Sequence, residues 1–438
     1  MTTTASAPAQ PGSREPATAK PSVALYFAYA DGLRALGVLY VFGYHLMFVT
    51  APELPHHVQI ADLLIAFDPV VMFFILSSYL LAGPYIKAYL RDGSDFPLTS
   101  GYAAARALRA FPPYYTGIVL IGIYLWAVHT PATWWDFVSH AIFVEGFSPA
   151  TAQTLSGPLW TLAVDLQFYI VLPMLFWVLF SRTRTLPYPR RVAVLFWTLG
   201  AIALASIAYR WAAMAIVKPV TWEEEIVWLH QLPGSTAVLA MGMAARALLE
   251  VSTPATRAWM SRNTWTMIAG ALALRPFGWL YEVHYDQLKA LHAGPVHFGN
   301  FLVAMQDPIS AVAAIAILLA LVAGSHNPIS RVLATRPVAF ASSISLGIYM
   351  YHMTVITTLV GPHPVPSWPL FFKTLFLSTA ILVPLCWFMH RFVEVPFLSI
   401  KANLKRAKST HVVDLADVEK AGATLVDPRL FPATSEQA

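Results

Sequence analysis

Ten stretches of about 20 mostly apolar residues run along this 438-residue chain, and each is long enough to cross a lipid bilayer as a helix. They fall at roughly 31–50, 63–84, 110–128, 158–180, 192–213, 226–248, 264–281, 300–323, 338–360 and 371–393. Inside a bilayer every backbone polar group must be satisfied by the protein itself, which leaves helices and closed barrels as spanning structures. Runs of this length select helices. Composition agrees, because 57% of residues are hydrophobic and 12% charged, where a soluble domain carries about 25% charged residues. The expected fold is therefore all-α: an integral membrane bundle of about ten transmembrane helices in contact with a lipid bilayer. The seventh stretch is the weakest, since Arg275, Pro276 and Gly278 interrupt it. Residues 1–24 are rich in Thr, Ala and Pro and read as a disordered arm. Residues 25–400 form the expected transmembrane domain, and 401–438 a polar tail.

The connecting segments alternate in charge. Basic residues accumulate on the cytoplasmic side of short loops. Lys87, Arg91, Arg106 and Arg109 follow the second stretch, Arg182, Arg184, Arg190 and Arg191 the fourth, and Arg257 and Arg262 the sixth. Arg331 and Arg336 follow the eighth, and Lys401, Lys405, Arg406 and Lys408 the tenth. Segments 51–62, 129–157 and 361–370 contain neither Lys nor Arg. Both termini are thus expected in the cytoplasm. Cys386 is the one cysteine, so no intramolecular disulfide forms. There is no phosphate-binding loop, dinucleotide fingerprint or metal signature, and no bound cofactor, metal or nucleic-acid partner is expected.

Charged side chains in a span are costly and usually face a cavity or a partner. The first stretch holds Asp31, Arg34 and His45. Arg34 and His45 are eleven residues apart, so they project from one helix face about 16 Å apart along the axis. His45 reads either as a general base or as an inter-helix hydrogen bond. Asp165, in the fourth stretch with Trp160, Gln167 and Tyr169, is expected near the depth of His45. A carboxylate beside the imidazole would fix its tautomer and raise its basicity; the alternative is a structural ion pair or a backbone contact. His352 falls at a similar depth, as a second site residue or a packing contact. Arg106 and Arg109 share a helix face at one end, suited to phosphate or to simple anchoring. Ser77 permits close helix approach. Arg391 and Glu394 pair with each other or with Arg34 and Asp31.

Together these segments resemble the acyltransferase-3 family of membrane acyltransferases over about residues 25–397. The resemblance is carried by Asp31-Gly32-Leu33-Arg34 with His45, Phe73-Phe74-x-x-Ser77, and Arg106-x-x-Arg109 before Pro112-Pro113. It continues in Leu159-Trp160-x-Leu162-x-x-Asp165-x-Gln167-Phe168-Tyr169, Ser345-x-x-x-Tyr349-x-x-His352 and Glu394-x-Pro396. Two positions depart from the family pattern: Asp165 stands where Glu is usual, and Ser78 where Gly is usual. The resemblance implies a plasma-membrane enzyme with an acyl-CoA donor, acetyl-CoA as the prior choice, reached from the cytoplasm. It implies a hydroxyl acceptor on an envelope glycan, glycolipid or secreted small molecule. It also implies His45 as the essential residue, polarised by Asp165, with Arg34, Arg106 and Arg109 at the donor. Asp31, Ser77, Trp160, Tyr169, His352 and Glu394 are expected in support. A secondary transporter or flippase is the alternative that intramembrane charges and broken helices also allow.

Overall fold

The computed structural model describes residues 23–52, 69–91, 100–130, 132–274, 298–323, 328–333 and 335–400. They are almost wholly helical, with no β-strand among the described residues. The first half comprises α1 (Val23–Thr50), α2 (Pro69–Leu90), α3 (Ser100–Ala127), a short α4 (Trp134–Ala141), α5 (Leu159–Thr183) and α6 (Tyr188–Ile216). The second half comprises α7 (Leu232–Val251), α8 (Pro254–Arg262), α9 (Thr264–Ala273), α10 (Phe298–Ala323), α11 (Arg336–Ser343), α12 (Ser345–Val360) and α13 (Trp368–Met389).

Eight of these helices are long and apolar enough to cross a membrane, or nine spans if α11 and α12, joined at a 64° bend, count as one. The expected seventh span holds only the ten-residue α9, and its continuation over 275–297 lies outside the described residues. So do the expected arm through residue 22 and the tail from 401. Prolines do not end the helices: α2 runs through Pro84 and α3 through Pro112 and Pro113. Neighbouring helices re-satisfy backbone groups freed by such residues in a membrane bundle. Trp197 and Phe376 are 78% and 73% exposed, a surface that only lipid can wet.

The interior divides into two apolar cores. Phe74 and Tyr85 of α2, Leu195 of α6, Leu239 of α7 and Leu318 of α10 share one. Val41 of α1, Tyr114 of α3, Ile348 of α12 and Leu382 of α13 share the other. Helix α5 stands between them, giving Val164 and Phe168 to the first and Leu159 to the second.

Helices α2 and α7 touch at Gly242, where a Cβ would meet the Ser78 hydroxyl and lie 2.8 Å from the Ile75 carbonyl oxygen. With Ser78 where the family pattern usually has Gly, the close approach of the two helices here rests on Gly242. Gly242→Ala should cost about 1–3 kcal/mol through overpacking against rigid backbone. The check is the thermal midpoint in detergent, which should fall and be only partly restored by adding Ser78→Gly.

The largest departure from the sequence reading is segment 129–157, expected as an outer connecting loop. Helix α4 opens on a capping box between Thr133 and Asp136 and then runs down beside α3. The Phe137 ring fills the space a Cβ on Gly122 would need. Tyr114 and Tyr115 donate to the carbonyls of His140 and Ala141 at 3.0 and 2.9 Å. Phe143 stacks on Phe111 with ring centroids 5.8 Å apart. From Gly122 to Phe111 is a descent of about 16 Å along α3. Gln167, eight residues into α5, reaches the Phe143 carbonyl at 3.1 Å. A left-handed φ of 60° at Phe143 marks the reversal. Asp136, Ser139 and His140 are buried while Trp134, Trp135 and Ile142 are exposed. This inverts the amphipathicity of a water-facing helix, so the segment folds back into the bundle with its apolar face outward.

Candidate active site

The end of the bundle where α1 finishes and α5 begins is taken here as its upper end. Arg34, Val38, Val41 and His45 form one stripe up α1, and Val38 and Val41 are buried in the second core. At the top of the stripe His45 meets His352 of α12. Nδ1 of His45 lies 2.9 Å from the Val41 carbonyl oxygen and 3.1 Å from Nε2 of His352. Nδ1 of His352 lies 3.0 and 2.9 Å from the carbonyl oxygens of Ile348 and Tyr349. His352 is fully buried.

One turn lower on α12, the Tyr349 hydroxyl bonds Thr161 Oγ1 at 2.6 Å, and its ring meets Phe73 edge-on at 5.6 Å. One further turn down both α5 and α2, the Ser77 hydroxyl donates to Asp165 Oδ2 at 3.1 Å. One turn below Asp165 comes Tyr169, within electrostatic range of Arg34, as is Arg109 of α3. Arg34 itself donates to Asp31 at 2.7 Å and is partly exposed. The steps from His352 to Tyr349 and from Thr161 to Tyr169 sum to about 16 Å of helical rise. Arg34 and His45 are separated by the same rise along α1, counted on a different helix. A series of polar groups at successive helical turns therefore leads from the arginine end to the paired imidazoles along the seam between the two cores.

The structure thus brings Asp31, Arg34, Arg109, Tyr169, Asp165, Ser77, His352 and His45 into one column. Arg106 lies in α3 one turn before Arg109, and its side chain lies outside the described residues. Glu394 occupies the π-helical turn His390–Glu394 after α13, and its carboxylate meets His390 Nδ1 at 3.1 Å. Trp160 turns to the other face of α5. Its ring meets His230 and Trp222 at 5.4 and 6.4 Å, beside a buried Arg210–Asp307 ion pair of 2.6 Å.

Sequence reasoning did not find the Thr161–Tyr349 bond, the atom at which His352 meets His45, or Glu145. Glu145 follows the tip of the folded-back segment, fully buried, and no described group beyond its own backbone N–H offers its carboxyl a hydrogen bond. Burial pushes that carboxyl up to about 8. The polar spacing of Asp136, Ser139 and His140 was the one signal that this segment turns inward.

An acyltransferase domain model, Acyl_transf_3, matches residues 27–387. Nodulation protein 10 of Rhizobium leguminosarum bv. viciae is 24% identical over 374 residues, covering 78% of this chain and 85% of that protein. The peptidoglycan O-acetyltransferase OatA of Listeria monocytogenes serovar 1/2a is 22% identical over 388 residues, covering 85% of this chain and 56% of that protein. No solved structure matches the chain.

Proposed function

The chain belongs to the acyltransferase-3 family of multi-pass membrane acyltransferases, and from that premise we propose that it carries an acetyl group from cytoplasmic acetyl-CoA to a hydroxyl of an envelope glycan. Membership of an enzyme family sets aside the transporter alternative. The observation that carries the proposal is the polar column from Arg34 and Arg109 to His45. It supplies a phosphate-binding end, a seam for the thioester arm, and a basic nitrogen at the far end. The glycan acceptor is supported by the Listeria relative, which is named a peptidoglycan O-acetyltransferase. The charge alternation of the loops supports placing the arginine end in the cytoplasm.

In the proposed reaction, the acceptor hydroxyl gives its proton to His45 and its oxygen bonds the thioester carbonyl carbon. The carbon–sulfur bond breaks, the thiolate leaves, and His45 returns the proton to it. The products are an acetyl ester and free CoA. Asp165, held by Ser77 midway along the column, stands about 10 Å below His45 by helical rise and not at its depth as the sequence led one to expect, and takes hydrogen bonds from the amides of the donor's arm. Asp31 fixes Arg34, and Tyr169 lines the lower passage. Glu394 supports the lower end of α13, and Trp160 shapes the upper end of α5.

Membranes from an expressing strain, incubated with [14C]acetyl-CoA, test this. Label should pass to the glycan fraction as a base-labile ester and be absent with His45→Ala membranes. Label found only in lipid, only in a secreted small molecule, or in no acceptor would overturn the glycan assignment.

A further inference from the structure

We infer that His352 is the positioning residue for His45: it accepts the Nδ1–H of His45 and so fixes Nε2 as the atom that takes the acceptor's proton. The inference rests on the acetyl-transfer reading above and adds an assignment within it.

The hydrogen-bond geometry decides the tautomers. A carbonyl oxygen only accepts. Nδ1 of His352 has two carbonyl oxygens, of Ile348 and Tyr349, at hydrogen-bond distance. It therefore carries a proton, and in a neutral ring Nε2 of His352 carries a lone pair. Nδ1 of His45 faces the carbonyl of Val41 at 2.9 Å and that lone pair at 3.1 Å. Both neighbours are acceptors, so Nδ1 of His45 is the donor and its Nε2 holds the free lone pair. The opposite polarity needs a doubly protonated His352. A fully buried cation with no carboxylate beside it among the described residues is costly.

The arrangement also serves the reaction. When Nε2 of His45 takes a proton, the imidazolium keeps its Nδ1–H pointed at two acceptors already in place. A preorganised acceptor at the distal nitrogen stabilises the charge as it forms. The carboxylate expected from sequence to fix the tautomer, Asp165, stands about 10 Å lower by helical rise. At the Nδ1 atom the same task falls to a neutral imidazole.

The full-length protein in nanodiscs, assayed with acetyl-CoA and purified glycan, provides the test. His352→Leu removes the acceptor, and kcat should fall by roughly 10²-fold with the KM for acetyl-CoA unchanged. His352→Gln places a carbonyl oxygen near the old Nε2 and should recover most of kcat. A structural contact alone would not give that split and rescue. In parallel, 15N spectra of the wild-type protein should show His45 protonated at Nδ1 and bare at Nε2. Unchanged kcat in His352→Leu, a Gln variant as inactive as the Leu variant, or the reverse tautomer would overturn the inference. If His352→Leu does not fold, the Gln variant and the wild-type spectrum decide. If the wild-type protein transfers no acetyl group, the functional reading falls and the spectrum still decides the tautomer.

Discussion

Replacing His45 by alanine should lower acetyl transfer by roughly 10²–10⁴-fold, the contribution of a positioned general base. The loss should fall on kcat, because the ring acts on the acceptor's proton and not on donor affinity. The protein should remain folded. His45 is only partly buried and its hydrogen bonds run to its own helix and to His352. Size-exclusion behaviour in detergent, measured beside activity, separates the two effects. A well-folded His45→Ala protein with normal turnover would remove the chemistry assigned to the top of the column.

The second large effect is expected at the opposite end, on a different kinetic constant. Arg34 and Arg109 lie in electrostatic range of one another. Two like charges held together in an apolar bundle repel, and an anion between them offsets the repulsion. Charge-assisted hydrogen bonds from a guanidinium to a phosphate are worth about 1.5–3 kcal/mol each. Arg109→Ala should therefore raise the KM for acetyl-CoA by roughly 10–100-fold with kcat nearly intact. Arg109→Lys should recover only part, since an ammonium keeps the charge and loses the bidentate fork. A donor lacking the nucleotide phosphates, such as S-acetylpantetheine, should be used equally well by wild type and Arg109→Ala. Unequal use of that donor would show that Arg109 acts on something other than phosphate.

How far the sequence was legible depends on whether the relation sought was local. The placing of Arg34 and His45 on one face follows from helical period alone, and the structure keeps both on the stripe with Val38 and Val41. Spans were legible because apolar length is a property of contiguous residues. Their limits were less so where proline intervened: the second stretch was expected to end at about residue 84, and α2 passes through Pro84 to Leu90. The neighbour that meets His45 at Nδ1 was not legible, because the register of α1 against α12 is set by packing over two whole helices. Likewise Ser78 and Gly242 are an ordinary serine and glycine in sequence. Only their meeting across the α2–α7 contact shows why one of them must be small.

The folded-back segment is gripped from outside itself. Tyr114 and Tyr115 hold the carbonyls of His140 and Ala141, and Gln167 holds that of Phe143. Peptide carbonyls are common to every residue type, so the clasp cannot tell one side chain from another at the three positions it seizes. Of the three, only Ala141 is left without a second hold, because His140 is also fixed by burial and Phe143 by its ring on Phe111, so substitution at 141 is the one that should leave the shape intact.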